Sequence, residues 1–101
     1  MHVARKQIQQ IYLDSRHRYV GYYLRYSEES THLAYMLEQE LANLQQAFHW
    51  AIEDNKHELV ARFWEAIGDF FWEHGYWQNY LEWGETALNA IRQLGRRETE
   101  A

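Results

Sequence analysis

The side chains able to do acid-base, nucleophilic or metal chemistry are scattered along this chain, and their spacing can be tested against each chemistry in turn. Glu29-x-x-His32 has the spacing found in di-iron helical bundles, but that site needs two such motifs and two further Glu on facing helices. One copy is present. Asp54-x-x-His57 straddles a predicted loop, and His49 with Glu53 reads as an i,i+4 surface pair. No ligand set of the kind that makes a metal site specific emerges, so neither a metal nor a cofactor is expected. Asp14, Ser15 and His17 are the residue types of a catalytic triad, yet near neighbours on one helix cannot line up in the hydrogen-bonded chain a triad requires. Glu38 and Glu40 point to different helix faces and cannot act as a carboxylate pair. With no converging acid, base and nucleophile, the expectation is a protein that is not an enzyme.

The elements that carry these residues are predicted to be helices. The 101 residues contain no Pro and five Gly, and uninterrupted helices tolerate neither residue well. No sheet is expected. Ala4, Ile8, Ile11 and Tyr12 form a helical stripe continued by Ser15, Tyr19, Tyr22, Tyr23 and Tyr26. That favours one long helix over 3–30, although Asp14 or Ser15 could cap a restart. The periodicity lapses around 30–33. A second helix over 34–54 carries Leu37, Leu41, Leu44, Phe48 and Ala51, and Asp54-Asn55-Lys56 makes a short polar break. A third over 57–74 carries Val60, Phe63, Trp64, Ile67, Phe70 and Phe71, and stops at Gly75 in a left-handed conformation. The fourth, over 76–94, shows Trp77, Tyr80, Leu81, Gly84, Ala87, Leu88 and Ile91 on one side and ends at Gly95. The charged tail 95–101 is expected to fray.

Two glycines inside helices, Gly68 and Gly84, each cost roughly 1 kcal/mol relative to Ala, which calls for a packing reason. An antiparallel hairpin about Gly75 pairs residues whose numbers sum to about 151, by helix geometry. Phe71 is thereby set against Tyr80, Gly68 against Gly84 in a close crossing, and Trp64 against Ala87 or Leu88.

Composition narrows the function classes. One domain is expected at this length. Five Trp, eight Tyr and four Phe suffice for a core without staples, and zero Cys removes disulfides and thiolate ligands. No long apolar run suggests a signal peptide or membrane span, so the default expectation is cytoplasmic with no membrane partner. Residues 1–33 hold five basic and three acidic residues, whereas 34–101 hold five and twelve. An acidic surface over most of the chain repels a phosphate backbone, which disfavours direct nucleic-acid binding. Arg5, Lys6, Arg16, Arg18 and Arg25 are expected to pair with the acidic later helices.

Trp64-x-x-Ile67-Gly68-x-x-Phe71-x-x-x-Gly75, followed by Ala87, resembles the tetratricopeptide repeat. In this chain the small and the large aromatic residue of the second helix appear exchanged, as Tyr80 and Gly84. More widely, 16–88 is similar to the helical-repeat region of bacterial signal-transduction ATPases with numerous domains, the NB-ARC-type transcriptional regulators. Their Leu-Glu-x-Glu-x-x-Asn-Leu segment is matched by Leu37, Glu38, Glu40, Asn43 and Leu44. No Gly-x-x-x-x-Gly-Lys-Ser/Thr occurs, so the nucleotide switch of that family is absent.

The resemblance implies an all-α fold of four helices in antiparallel hairpins, stacked as a TPR-like repeat over 1–94. It also implies a protein-interaction or sensor module of a bacterial regulator that docks a helix or peptide in a groove. Carried over position by position, the groove-facing residues are Arg62, Glu65, Asp69, Trp72 and Glu73. Trp72 lies off the Trp64-Ile67-Phe71 stripe and is the candidate anchor; its alternative role is packing against the preceding hairpin. Exposed aromatics such as Trp83, together with uncapped repeat ends, would promote homo-oligomers. The alternative function is a small-molecule sensor with an aromatic pocket among Tyr19, Tyr22, Tyr23 and Tyr26, residues that otherwise belong to the core.

Overall fold

Five α-helices follow one another in the computed structural model, which describes the backbone of residues 2–100 and the side chains of residues 5–96. They are α1 (His2–Glu29), α2 (Ala34–Gln39), α3 (Leu41–Glu53), α4 (His57–Glu73) and α5 (Trp77–Glu100). Among the described residues there is no strand. Ala4 of the predicted stripe and the charges of 97–101 fall outside the described side chains.

α1 is continuous, about 42 Å long at 1.5 Å per residue. Asp14 and Ser15 cap nothing. Asp14 accepts a bond from Gln10 Nε2 at 2.9 Å and Ser15 Oγ one from Arg18 at 3.3 Å, both within the helix. The expected second helix is instead two, broken at Glu40, where φ is −108° and ψ 14°. Side-chain bonds converge on this break: the Glu40 carboxylate accepts from Tyr23 OH at 3.2 Å and from Asn43 Nδ2 at 2.7 Å. Leu37 before the break and Leu44 after it are both fully buried. Glu38 meanwhile accepts from Tyr76 OH at 3.2 Å, linking α2 to the start of α5.

The two later turns share one motif. Among the described residues, Asn55 (φ 56°) and Gly75 (φ 79°) have positive φ, and each is followed by a bond reaching five residues back: Lys56 N–H to Ala51 O at 2.9 Å, Tyr76 N–H to Phe71 O at 2.8 Å. This is the Schellman closure, which needs a residue tolerant of the left-handed region; Gly and Asn both are. Gly95 plays no such part. α5 runs through it to Glu100, so the predicted stop at 95 is corrected.

The core lies where α1, α3, α4 and α5 meet, around the fully buried Leu37, Leu44, Phe63, Ile67 and Phe71. Phe48 of α3 stacks on Trp83 of α5 with centroids 3.8 Å apart, and Phe71 meets Trp83 edge-on at 4.9 Å. Trp83 is 5% exposed. The expectation that it projects into solvent and drives association is therefore overturned: α5 has two apolar sides, and the one bearing Trp83, Ala87 and Ala90 faces the core.

α1 runs alongside α4 in the same direction. Glu28 pairs with Arg62, and Thr31 Oγ1 donates to Ala66 O at 2.6 Å. Nearer the start of α1, Arg16 binds Glu53 and Asp54 at the end of α3, with its guanidinium carbon 5.0 Å from the Trp50 ring centre. The hydrogen bond from Arg16 lowers the pKa of the Glu53 carboxyl, reinforced by His49 and opposed by desolvation. A carboxyl whose folded pKa lies below its unfolded value contributes stability above the unfolded pKa, and loses it as pH falls through the folded pKa. Melting temperature followed into the acid range should therefore show a loss that Arg16→Ala reduces. Parallel curves for the two proteins would show that the pair carries no pH-dependent stability.

Candidate interaction surface

α4 and α5 form the hairpin that carries the candidate residues. Tight closure at Gly75 sets their register, and Trp72 meets Tyr80, a pair whose numbers sum to 152, close to the expected 151; Phe71 has other partners than the one expected. Phe71 meets Tyr76 and Trp83 rather than Tyr80. Tyr80 packs instead between Trp64 (4.9 Å) and Trp72 (5.3 Å).

The glycines do make room, but for a side chain rather than for each other. A Cβ on Gly84 would stand 3.0 Å from Trp64 Cη2, and one on Gly68 3.4 Å from the same indole. Trp64 thus lies across both glycines. The predicted direct crossing of Gly68 and Gly84 is corrected to an indole inserted at the seam.

The five residues carried over from the repeat pattern all lie on the outer part of α4, and all five are exposed. Trp72 is 61% exposed and touches Tyr80 of α5. Arg62 is already engaged: its Nε and Nη2 donate to both oxygens of Glu28, at 3.1 and 2.8 Å. That fork, more than any other influence, raises the pKa of the guanidinium. Asp69 and Glu73 border a cleft of about 250 Å³ shared with Thr31, His32, Phe70 and His74. Helical spacing puts Asp69 next to Trp72, three residues away, and Glu65 one turn further along the same side, next to Asp69.

What the sequence reading missed is the α5 side of this surface. Trp77 (63%), Leu81 (69%), Leu88 and Ile91 are exposed, although they belong to the one apolar side expected for this helix. Trp77, Leu81, Gly84, Leu88 and Ile91 recur at alternating spacings of four and three, the seam pattern of a helix that faces another helix. Trp83, Ala87 and Ala90 recur at the same spacings; that second set was the available signal.

Three of the four α1 tyrosines, Tyr19, Tyr23 and Tyr26, pack against the core. Tyr19, Tyr23 and Tyr26 are half-buried, pack on one another, and donate to Asn43 Oδ1 (2.9 Å), Glu40 and Met36 O (2.9 Å). Burial first, and the Glu40 charge second, raise the pKa of all three. Tyr22 is exposed. A cavity of about 580 Å³ lies elsewhere, between α1, the α3–α4 turn and the end of α5, where His17, Val20, Ala51, His57 and Leu94 are among its walls.

His49 contacts Glu53 at 2.8 Å, as their spacing suggests, and among the described residues no three His, Asp or Glu gather as a metal site. No helix among the described residues is long and apolar enough to cross a membrane. No family model, curated protein or solved structure matches the chain.

Proposed function

We propose that this chain is a non-catalytic interaction module, TPR-like in its use of a helical hairpin, that docks a cationic amphipathic helix or peptide on the outer face of α4 and α5. The observation that carries this reading is the exposed aromatic and aliphatic surface of Trp72, Trp77 and Leu81, edged by Glu65 and Asp69. An apolar stripe of the partner would cover the rings while its Lys or Arg side chains meet the carboxylates, the helix-in-groove mode of recognition. Trp72 is the anchor. Glu65, Asp69 and Glu73 set charge selectivity, and Arg62 acts indirectly by holding α4 to Glu28. The resemblance stated above extends the proposal to a sensor or docking segment of a bacterial cytoplasmic regulator of transcription.

Trp72→Ala tests it. A Trp at the centre of such an interface contributes about 2 kcal/mol or more, so affinity for a Lys/Leu amphipathic helical peptide should fall roughly 30-fold or more by calorimetry. The melting temperature should barely move, because the side chain is exposed. Undiminished binding by the variant would remove Trp72 as the anchor, and no binding by the parent protein would remove the proposal.

A further inference from the structure

The outer α4–α5 face is an uncovered apolar surface, and among the described residues it has a counterpart. That counterpart is the first half of α1. Side chains 5–15 are all exposed, among them Ile8 (66%), Ile11 (63%) and Tyr12 (56%). Ile8, Ile11 and Tyr12 lie on one side of the helix, with Arg5 at the edge of that side.

The two surfaces cannot meet within one molecule. His17 and His57 line the same cavity, Glu28 reaches Arg62, and Thr31 reaches Ala66, so residues ahead of Arg16 lie beyond the start of α4. Trp72, Trp77 and Leu81 sit around the turn at its other end. A rigid helix cannot fold back across that distance.

Their charges are complementary. Arg5 and Lys6 make the exposed half of α1 cationic, with Asp14 the single acidic residue among 5–15, while Glu65 and Asp69 edge the α4 side of the hairpin face and Glu85 lies on exposed α5. We infer that the occupant of the hairpin face is a second copy of this chain, whose Ile8–Ile11–Tyr12 stripe packs on Trp72, Trp77 and Leu81, with Arg5 and Lys6 towards Glu65 and Asp69. This inference rests on the docking face proposed above and names its partner. The contact joins unlike surfaces, so two copies close a dimer by exchanging their α1 halves, or further copies add in a chain.

The test uses two variants of the full chain. Ile8→Asp/Ile11→Asp removes the inserted stripe, and Trp72→Ala/Leu81→Asp removes the receiving face; all four side chains are exposed, so circular dichroism should show both variants folded. Wild type should sediment as a dimer or larger species that loosens as salt screens the charges. Each variant alone should be monomeric. Mixed in equal amounts they should regain a 1:1 complex, because one intact stripe then meets one intact face. Wild type that stays monomeric across a concentration series overturns the inference, as does a mixture that remains two monomers, or a single variant that still self-associates, the result expected if like surfaces pair. The Ile8→Asp/Ile11→Asp variant keeps its receiving face, so its binding to the Lys/Leu peptide reports on the docking face separately. Peptide binding beside a monomeric wild type would sink the self-association while leaving the docking face intact.

Discussion

Trp83→Ala should destabilise the domain by about 3–5 kcal/mol, the range for removing a buried Trp or Phe from a core. Two contacts set the size of the effect: the stack on Phe48 at 3.8 Å with the rings 3° from parallel, and the edge of Phe71 at 4.9 Å. The indole joins α5 to α3 as well as to α4, and a truncated side chain leaves a cavity bounded by large rings that cannot close over it. For a domain near 100 residues each kcal/mol shifts the melting temperature by roughly 4–8 °C, so the variant should melt more than 10 °C lower or fail to fold. Trp77→Ala is the control, since its ring is 63% exposed. Similar losses from the two substitutions would contradict the burial assigned to α5.

Gly84→Leu is expected to cost roughly 1–3 kcal/mol through overpacking. The first added carbon would already stand 3.0 Å from Trp64 Cη2 and 3.2 Å from Cζ2. The indole has little freedom to retreat, because it also covers Gly68 and contacts Tyr80. Gly68→Ala gives the contrast: its Cβ would sit at 3.4 Å, an ordinary contact, so the gain in helix propensity, up to about 1 kcal/mol, should survive. Denaturant midpoints should rank Gly68→Ala at or above wild type and Gly84→Leu well below it. Combining Trp64→Ala with Gly84→Leu should recover part of the loss, as contacting residues do not add; strict additivity would mean that the clash lies elsewhere.

The helices and their turns were largely legible because they depend on neighbours in sequence. The stop at Gly75 follows from left-handed backbone being a property of single residues, and the polar run Asp54-Asn55-Lys56 places the other turn, though not its left-handed Asn55. Continuity of α1 through Asp14 and Ser15 follows in the same way from the absence of a breaker. The break at Glu40 was not legible. Its carboxylate bonds Asn43 within the segment but also Tyr23, seventeen residues away, and no local pattern announces such a partner.

The candidate residues divide along the same line. Trp72 stands out in the sequence because it interrupts the stripe of its own helix, and the fold leaves it exposed beside Tyr80. Trp77 and Leu81 were misassigned because α5 offers two apolar sides of equal periodicity, and periodicity reports that a side is apolar without saying what covers it. Helix content, turn positions and the charge asymmetry were thus determined by the sequence alone, through backbone sterics and composition. Which side of α5 went inward was decided only in the tertiary structure, where Phe48 and Phe71 present flat and edge-on surfaces that the Trp83 indole fills and that leave Trp77, Leu81 and Leu88 outside.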